Sequence, residues 1–276
     1  MRLIELQSDG EKRADGTRIW PGAYRVPRDM PEDLAARLVA SGAAIDLTPA
    51  NADKAAGRWS GATVVIAATG PSLTPEVAEQ VEHAYDRVPP VKVIAVNDAY
   101  RLMPWADVLY ACDAKWWNFH RPEFAGEKWA PRPWQKHVDN GDVGDEGKAE
   151  LARDQGVTLI EARMSDRWST DPSWITYGSN STFQAVGLAL HWIAPAGKIV
   201  LVGCDMRAVG KGKDAKRHFF GDHPEPLSNT ADFRKFIPSF DAAAKHLAPG
   251  VEIINATPGS ALKTFRSARL ADALAD

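Results

Sequence analysis

An unbroken apolar run, Val64-Val65-Ile66-Ala67-Ala68, is followed at once by Thr69, Gly70, Pro71 and Ser72. A continuous β-branched run reads as a strand buried on both faces, whereas a half-exposed strand would alternate with polar residues. Thr74, Pro75 and Glu76 then supply an N-cap, a proline for the first turn and an acidic residue, so a helix is expected over 75–85. The alternation recurs along the chain. Strands are expected over 92–98 (KVIAVND), 107–113 (DVLYACD), 157–161, 198–206 (KIVLVGCDM) and 251–255, and helices over 182–193 and from 228–232 to 247. In the first of these helices Phe183, Val186, Leu190 and Ile193 share one stripe. Apolar strands alternating with helices predict a Rossmann-like α/β fold, a doubly wound, mainly parallel sheet with helices on both faces.

Two regions depart from this rhythm. Residues 1–47 read as a small helical module: a short strand over 1–7, a turn-rich polar stretch over 8–27, then an amphipathic helix opened by Pro31, Glu32 and Asp33 with Leu34, Leu38 and Val39 on one face, closing near Gly42. A Pro, Gly, Asn and Lys-bearing linker, 48–62, leads to the main domain, 63–276. Within that domain 115–175 reads as a Trp-rich insertion, spreading Trp116, Trp117, Trp129, Trp134, Trp168 and Trp174 through irregular sequence. Those indoles either form a satellite core or furnish a lid that stacks on a sugar or base.

Composition narrows the class. At 276 residues, 45% hydrophobic and 25% charged, the chain carries enough apolar surface for a full α/β core and is no disordered polyelectrolyte. No apolar run approaches the ~20 residues of a membrane helix, and the charged N-terminus does not resemble a signal peptide, so a cytoplasmic protein without a membrane partner is expected. The formal charge of -3 leaves nucleic acid as a partner only through a local patch, such as Lys211, Lys213, Lys216 and Arg217. Oligomeric state is left open, a homo-oligomer included. Cys112 and Cys204 sit in apolar strands and read as reduced core thiols.

Candidate chemistry collects at the strand ends. The turn Thr69, Gly70, Pro71 and Ser72 ahead of a helix is a natural cradle for phosphate. Asn97 and Asp98 close the next strand, and Asp113 the one after it. Ser179, Asn180 and Ser181 precede the helix at 182, where one can cap it and the others can meet a ligand. Asp205 ends a further strand, and the loop behind it holds Lys216, Arg217, His218, Asp222 and His223. His191 reads as a cap or core residue.

Four of these stretches, GPSL at 70–73, VND at 96–98, Gly-Ser-Asn-Ser at 178–181 and LVGCDM at 201–206 with its histidine loop, together resemble a known grouping. They are similar to the Rossmann-type fold shared by bacterial sialyltransferases of the Campylobacter type and the DUF115 proteins, which include the archaeal 6-hydroxymethylpterin diphosphokinase, and also to phage-encoded members. The resemblance covers 63–265. In the sialyltransferase pattern the first turn, Gly-Asn-Gly-Pro-Ser-Leu, contacts the nucleotide; Thr69 stands here at the asparagine's position. Asn97 matches the second nucleotide-contacting asparagine, and the catalytic histidine's counterpart is His218 or His223. The diphosphokinase branch implies a nucleoside triphosphate and Mg2+, with Asp98, Asp113 and Asp205 in metal or pterin duties.

The leading expectation is therefore a glycosyltransferase with a nucleotide sugar as donor and an unidentified hydroxyl acceptor, a hydroxylated base of phage DNA among the candidates. His218 or His223 would serve as base beside Asp205, with His218 preferred because it follows Lys216 and Arg217, which would meet the departing phosphate. The alternatives are a diphosphokinase using Mg2+ and a non-catalytic phage structural or binding protein. No metal ligand set is assigned.

Overall fold

The structure is a computed structural model that describes residues 2–6, 22–26, 34, 37, 44–46, 57–86, 91–132, 154–178, 180–210, 212, 215–227, 229–230 and 232–275. The chain divides into two compact units, Met1–Asp53 and Lys54–Asp276. In the first, β1 (Arg2–Leu6) pairs antiparallel with β2 (Gly22–Val26) on one side and β3 (Ala44–Asp46) on the other. This unit thus carries a sheet, and β2 falls where only turns were expected. Leu34 and Arg37 are helical; the rest of that helix lies outside the described residues.

The second unit is built on nine strands in the order β12-β11-β10-β4-β5-β6-β7-β8-β9. Along the chain they are β4 (Thr63–Ala67), β5 (Lys92–Val96), β6 (Val108–Tyr110), β7 (Glu127–Pro131), β8 (Val157–Arg163), β9 (Trp174–Thr176), β10 (Gly197–Val202), β11 (Val251–Asn255) and β12 (Arg266–Ser267). Every neighbouring pair is parallel. Among the described residues the helices include α1 (Pro75–Tyr85), α2 (Ala114–His120), α3 (Ser181–Ile193), α4 (Ile237–Ala244) and α5 (Leu270–Leu274). The Rossmann-like α/β fold expected from the apolar runs is the fold observed.

The central strand shows why its run is continuous. Val64 and Ile66 join the core cluster that includes Phe183, Trp192 and Phe240, whereas Val65 and Ala67 join the opposite cluster with Val81 and Leu274. Both faces are dry, so alternate positions have no polar side to present.

The described part of 115–175 continues the sheet: it supplies most of α2, all of β7 and β8, and the first two residues of β9. Trp116, Trp117, Trp129 and Trp168 are buried in this framework, so they form core, not a lid. Trp134 lies outside the described residues. Part of the expected linker also belongs to the second unit, because the Gly57 and Trp59 amides donate to the carbonyls of His191 and Trp192 at 2.8 Å each. Arg58 covers the Trp192 ring at 3.8 Å. The helix expected from 228 onward is shorter, a 3-10 turn (Phe233–Phe236) leading into α4.

Candidate functional site

The chain walks outward from β4 to β9, then α3 carries it back to β10 on the other side of β4. The loops after β4 and β10 therefore diverge at their carboxyl ends, the position where open parallel sheets bind ligands. A crevice of about 510 Å³ lies there, with Thr69, Gly70, Asn97, Asp205, His218 and His223 among its walls.

Two glycines set its base. The Gly70 amide donates to the Gly203 carbonyl at 2.8 Å, and the Ala68 amide to Val202 at 2.9 Å. A Cβ on Gly70 would collide with the Asp205 carboxylate and the Gly203 carbonyl, and one on Gly203 (φ 64°) with the Ala68 carbonyl. Close approach is what requires Gly70, since its backbone is not left-handed.

Asp205 is buried and clamps this turn, accepting from Ser72 Oγ at 2.7 Å and the Ser72 amide at 3.3 Å. Burial raises its carboxyl pKa, partly offset by those bonds. Ser72 thus holds the turn, neither it nor Pro71 is among the crevice walls, and Asp205, expected in catalysis, has one oxygen committed to structure. The neighbouring Cys204 thiol is pushed up to about 12 by burial, which makes it an inert core group.

The loop behind β10 docks on the same turn. The Phe219 amide donates to the Thr69 carbonyl at 3.0 Å, and Thr69 Oγ1 meets His218 Nδ1 at 3.0 Å. His218 is 8% exposed, stacks on Phe220 with ring centroids 5.0 Å apart, and stands 4.6 Å from the His223 ring. Burial, then the neighbouring His223, depress its pKa to about 4, so the ring is neutral at neutral pH. Asn229 fixes His223 from behind, accepting from its amide at 2.7 Å and donating to its carbonyl at 2.9 Å.

The expected binding residues divide. Asn97 (φ 49°) takes the left-handed conformation that asparagine tolerates, which ends β5 and turns its side chain into the crevice wall. Asp98 does not line the crevice; it lies beneath, with Oδ2 accepting from Trp116 Nε1 at 2.8 Å. Asn180 caps α3 by accepting from the Phe183 amide at 3.0 Å, and Ser181 and Thr182 face the crevice. Ser179 lies outside the described residues, as do Lys211 and Lys213. Arg217 reaches the wall, but its Nη1 donates to both carboxylate oxygens of Asp222 at 2.9 and 2.7 Å, so Asp222 orients the guanidinium. Lys216 is exposed and off the wall.

No family model and no curated protein matches this sequence. The geometry therefore has to speak for the site. It adds residues that the sequence did not announce: Arg207, Lys235 and Tyr177 on the crevice walls, and His120 beside Asp98. Arg207 follows the strand-end motif directly and was within reach of a charge-based reading. Lys235 and Tyr177 carry no periodic signal, and His120 was hidden in sequence read as irregular. Among the described residues, no helix is long and apolar enough to cross a membrane.

Proposed function

We propose that the crevice receives the phosphates of a nucleotide-activated sugar and that the protein is a glycosyltransferase serving a hydroxyl acceptor. One observation carries the reading: anion-binding groups and a fixed neutral imidazole share the crevice at the sheet's switch point. The amides of Ser181 and Thr182 belong to the first turn of α3, where N–H groups lack intrahelical partners. Arg207, Arg217 and Lys235 line the same space as His218.

In this reading the diphosphate lies against the α3 N-terminus and the three cations. The mechanism uses the tautomer in which His218 donates from Nδ1 to the Thr69 hydroxyl, 3.0 Å away, and Nε2 is the proton acceptor. The acceptor oxygen attacks the anomeric carbon as Nε2 takes its proton, and the bond from that carbon to phosphate oxygen breaks with its electron pair leaving on the phosphate. A low-pKa imidazole holds no proton in the ground state and accepts one only as charge develops on the nucleophile. The resemblance to sialyltransferases supports the same crevice, with Thr69 replacing an amide by a hydroxyl that orients the base. Pyrophosphate transfer has less support, because Asp98 is not among the crevice walls and Asp205 is engaged by Ser72.

The test is calorimetry with CMP, UDP, GDP and their sugars, followed by turnover of whichever donor binds. His218→Ala is expected to lower turnover about 100-fold with donor affinity nearly unchanged. Failure of every donor to bind, or full turnover in the variant, would overturn the assignment.

A further inference from the structure

Beneath the crevice, Asp98 is 1% exposed and has more than one imidazole facing it. Its Oδ1 lies 3.6 Å from His120 Nε2, and its Oδ2 lies 3.8 Å from His223 Nδ1. One donor atom from each of the three residues falls within 4.8 Å of the other two. Asp98 Oδ1, His120 Nε2 and His223 Nδ1 are all buried, and none makes a hydrogen bond among the described residues. Buried polar atoms are normally satisfied, so three facing one another without a bond call for a common partner.

We infer that Asp98, His120 and His223 form a binding site for a divalent transition-metal ion, with zinc as the best-suited occupant. Ligands at zinc's bond lengths stand roughly 3.3–3.5 Å apart around a tetrahedron. His120 Nε2 stands 3.6 Å from Oδ1, close to that separation, and with one donor atom from each residue within 4.8 Å of the others, His223 has to draw in by about an ångström or less. Two imidazole nitrogens with one carboxylate suit Zn2+, Co2+ or Fe2+, whereas Mg2+ and Ca2+ prefer oxygen donors and retained water.

The surroundings fit a metal centre. Trp116 Nε1 holds Asp98 Oδ2 at 2.8 Å, which orients the carboxylate and leaves Oδ1 for the ion. Trp116 and His120 are one turn apart on α2, with ring centroids 4.9 Å apart, so the same helix supplies a ligand and its support. The His223 backbone is fixed by Asn229. Burial lowers the pKa of both imidazoles, favouring the neutral form that a metal needs. The competing cation is Arg101, whose Nη1 lies 3.6 Å from Asp98 Oδ1 on a side chain that is 52% exposed. It can move to solvent as an ion enters. His223 also lines the donor crevice, yet the inference stands apart from the transferase reading, because metal binding needs no donor.

The experiment strips the full chain with chelator and titrates Zn2+ by calorimetry and Co2+ by visible spectroscopy, without nucleotide. One ion per chain is expected, with nitrogen-and-oxygen-type cobalt bands and no displacement by millimolar Mg2+. His120→Ala and Asp98→Asn should each weaken zinc binding by at least about 10-fold. Arg101→Ala, a change at an exposed side chain, should tighten it several-fold by removing the competing charge. Absence of stoichiometric binding, or undiminished affinity in both ligand variants, overturns the site. Should the ligand variants fail to fold, unchanged or weaker affinity in Arg101→Ala overturns it equally.

Discussion

Ser72 and Asp205 are 133 positions apart in sequence, yet their contact at 2.7 Å joins the turns after β4 and β10. Ser72→Ala would leave a buried carboxylate short of its best donor. A loss of about 1.5–3 kcal/mol is expected in denaturant unfolding, since the bond is to a charged group. Asp205→Asn keeps an acceptor for the Ser72 hydroxyl and removes the charge, so it should cost less. The sign of the pH effect follows from burial, which raises the Asp205 pKa above its unfolded value. Protonated Asp205 is favoured by folding, so its contribution is full below about 3.8 and is lost as pH rises through the higher folded value. The stability of wild type relative to Asp205→Asn should therefore improve as pH falls from neutrality, measured by thermal melts of both. Gly70, Asn97 and the two loop histidines were legible because each is a residue type that a strand end or a reactive loop selects. The Ser72 clamp was not, because nothing local distinguishes a hydroxyl that binds phosphate from one that binds a distant carboxylate.

The helix α3 shows what an apolar stripe conveys and what it omits. Phe183, Val186 and Ile193 are buried as their spacing implies, but Gln184 and His191 are buried as well. A helix returning across the sheet from β9 to β10 is covered on most sides, and its N-terminus ends up over the switch point. Asn180→Ala removes the cap bond to Phe183 and should cost about 1 kcal/mol. On the proposed function it should also weaken phosphate binding, because Ser181 and Thr182, in the first turn of α3, line the crevice. A stability loss with unchanged affinity for the nucleotide that binds would separate the cap from the ligand site. The strands β7 and β9 were hidden for a different reason, whereas β8 was read from its run at 157–161. β7 is the sequence EKWAP, closing on a proline, and β9 is only three residues. Neither holds a run long enough to declare itself, and their burial depends on the strands beside them.

Sheet order decides which of these pieces can act together. Because β10 pairs with β4 while β5 lies on the other side of β4, residues near 70, 97, 180, 205 and 218 converge from five separate segments. The alternation of strands and helices in sequence specified a parallel sheet, but not the order in which the strands lie, so the convergence could only be proposed from the motifs. The described crevice walls, and the proposed ligand set Asp98, His120 and His223, belong to the unit Lys54–Asp276. Among the described residues, the three buried clusters are drawn from that unit. A chain reduced to 54–276 is therefore expected to fold, to bind zinc with the stoichiometry of the full chain and to retain nucleotide affinity, as read by calorimetry on both lengths. Retained zinc with lost nucleotide would assign the first unit a part in donor binding, whereas loss of both with an intact circular dichroism spectrum would show that the sites are not complete within the parallel sheet.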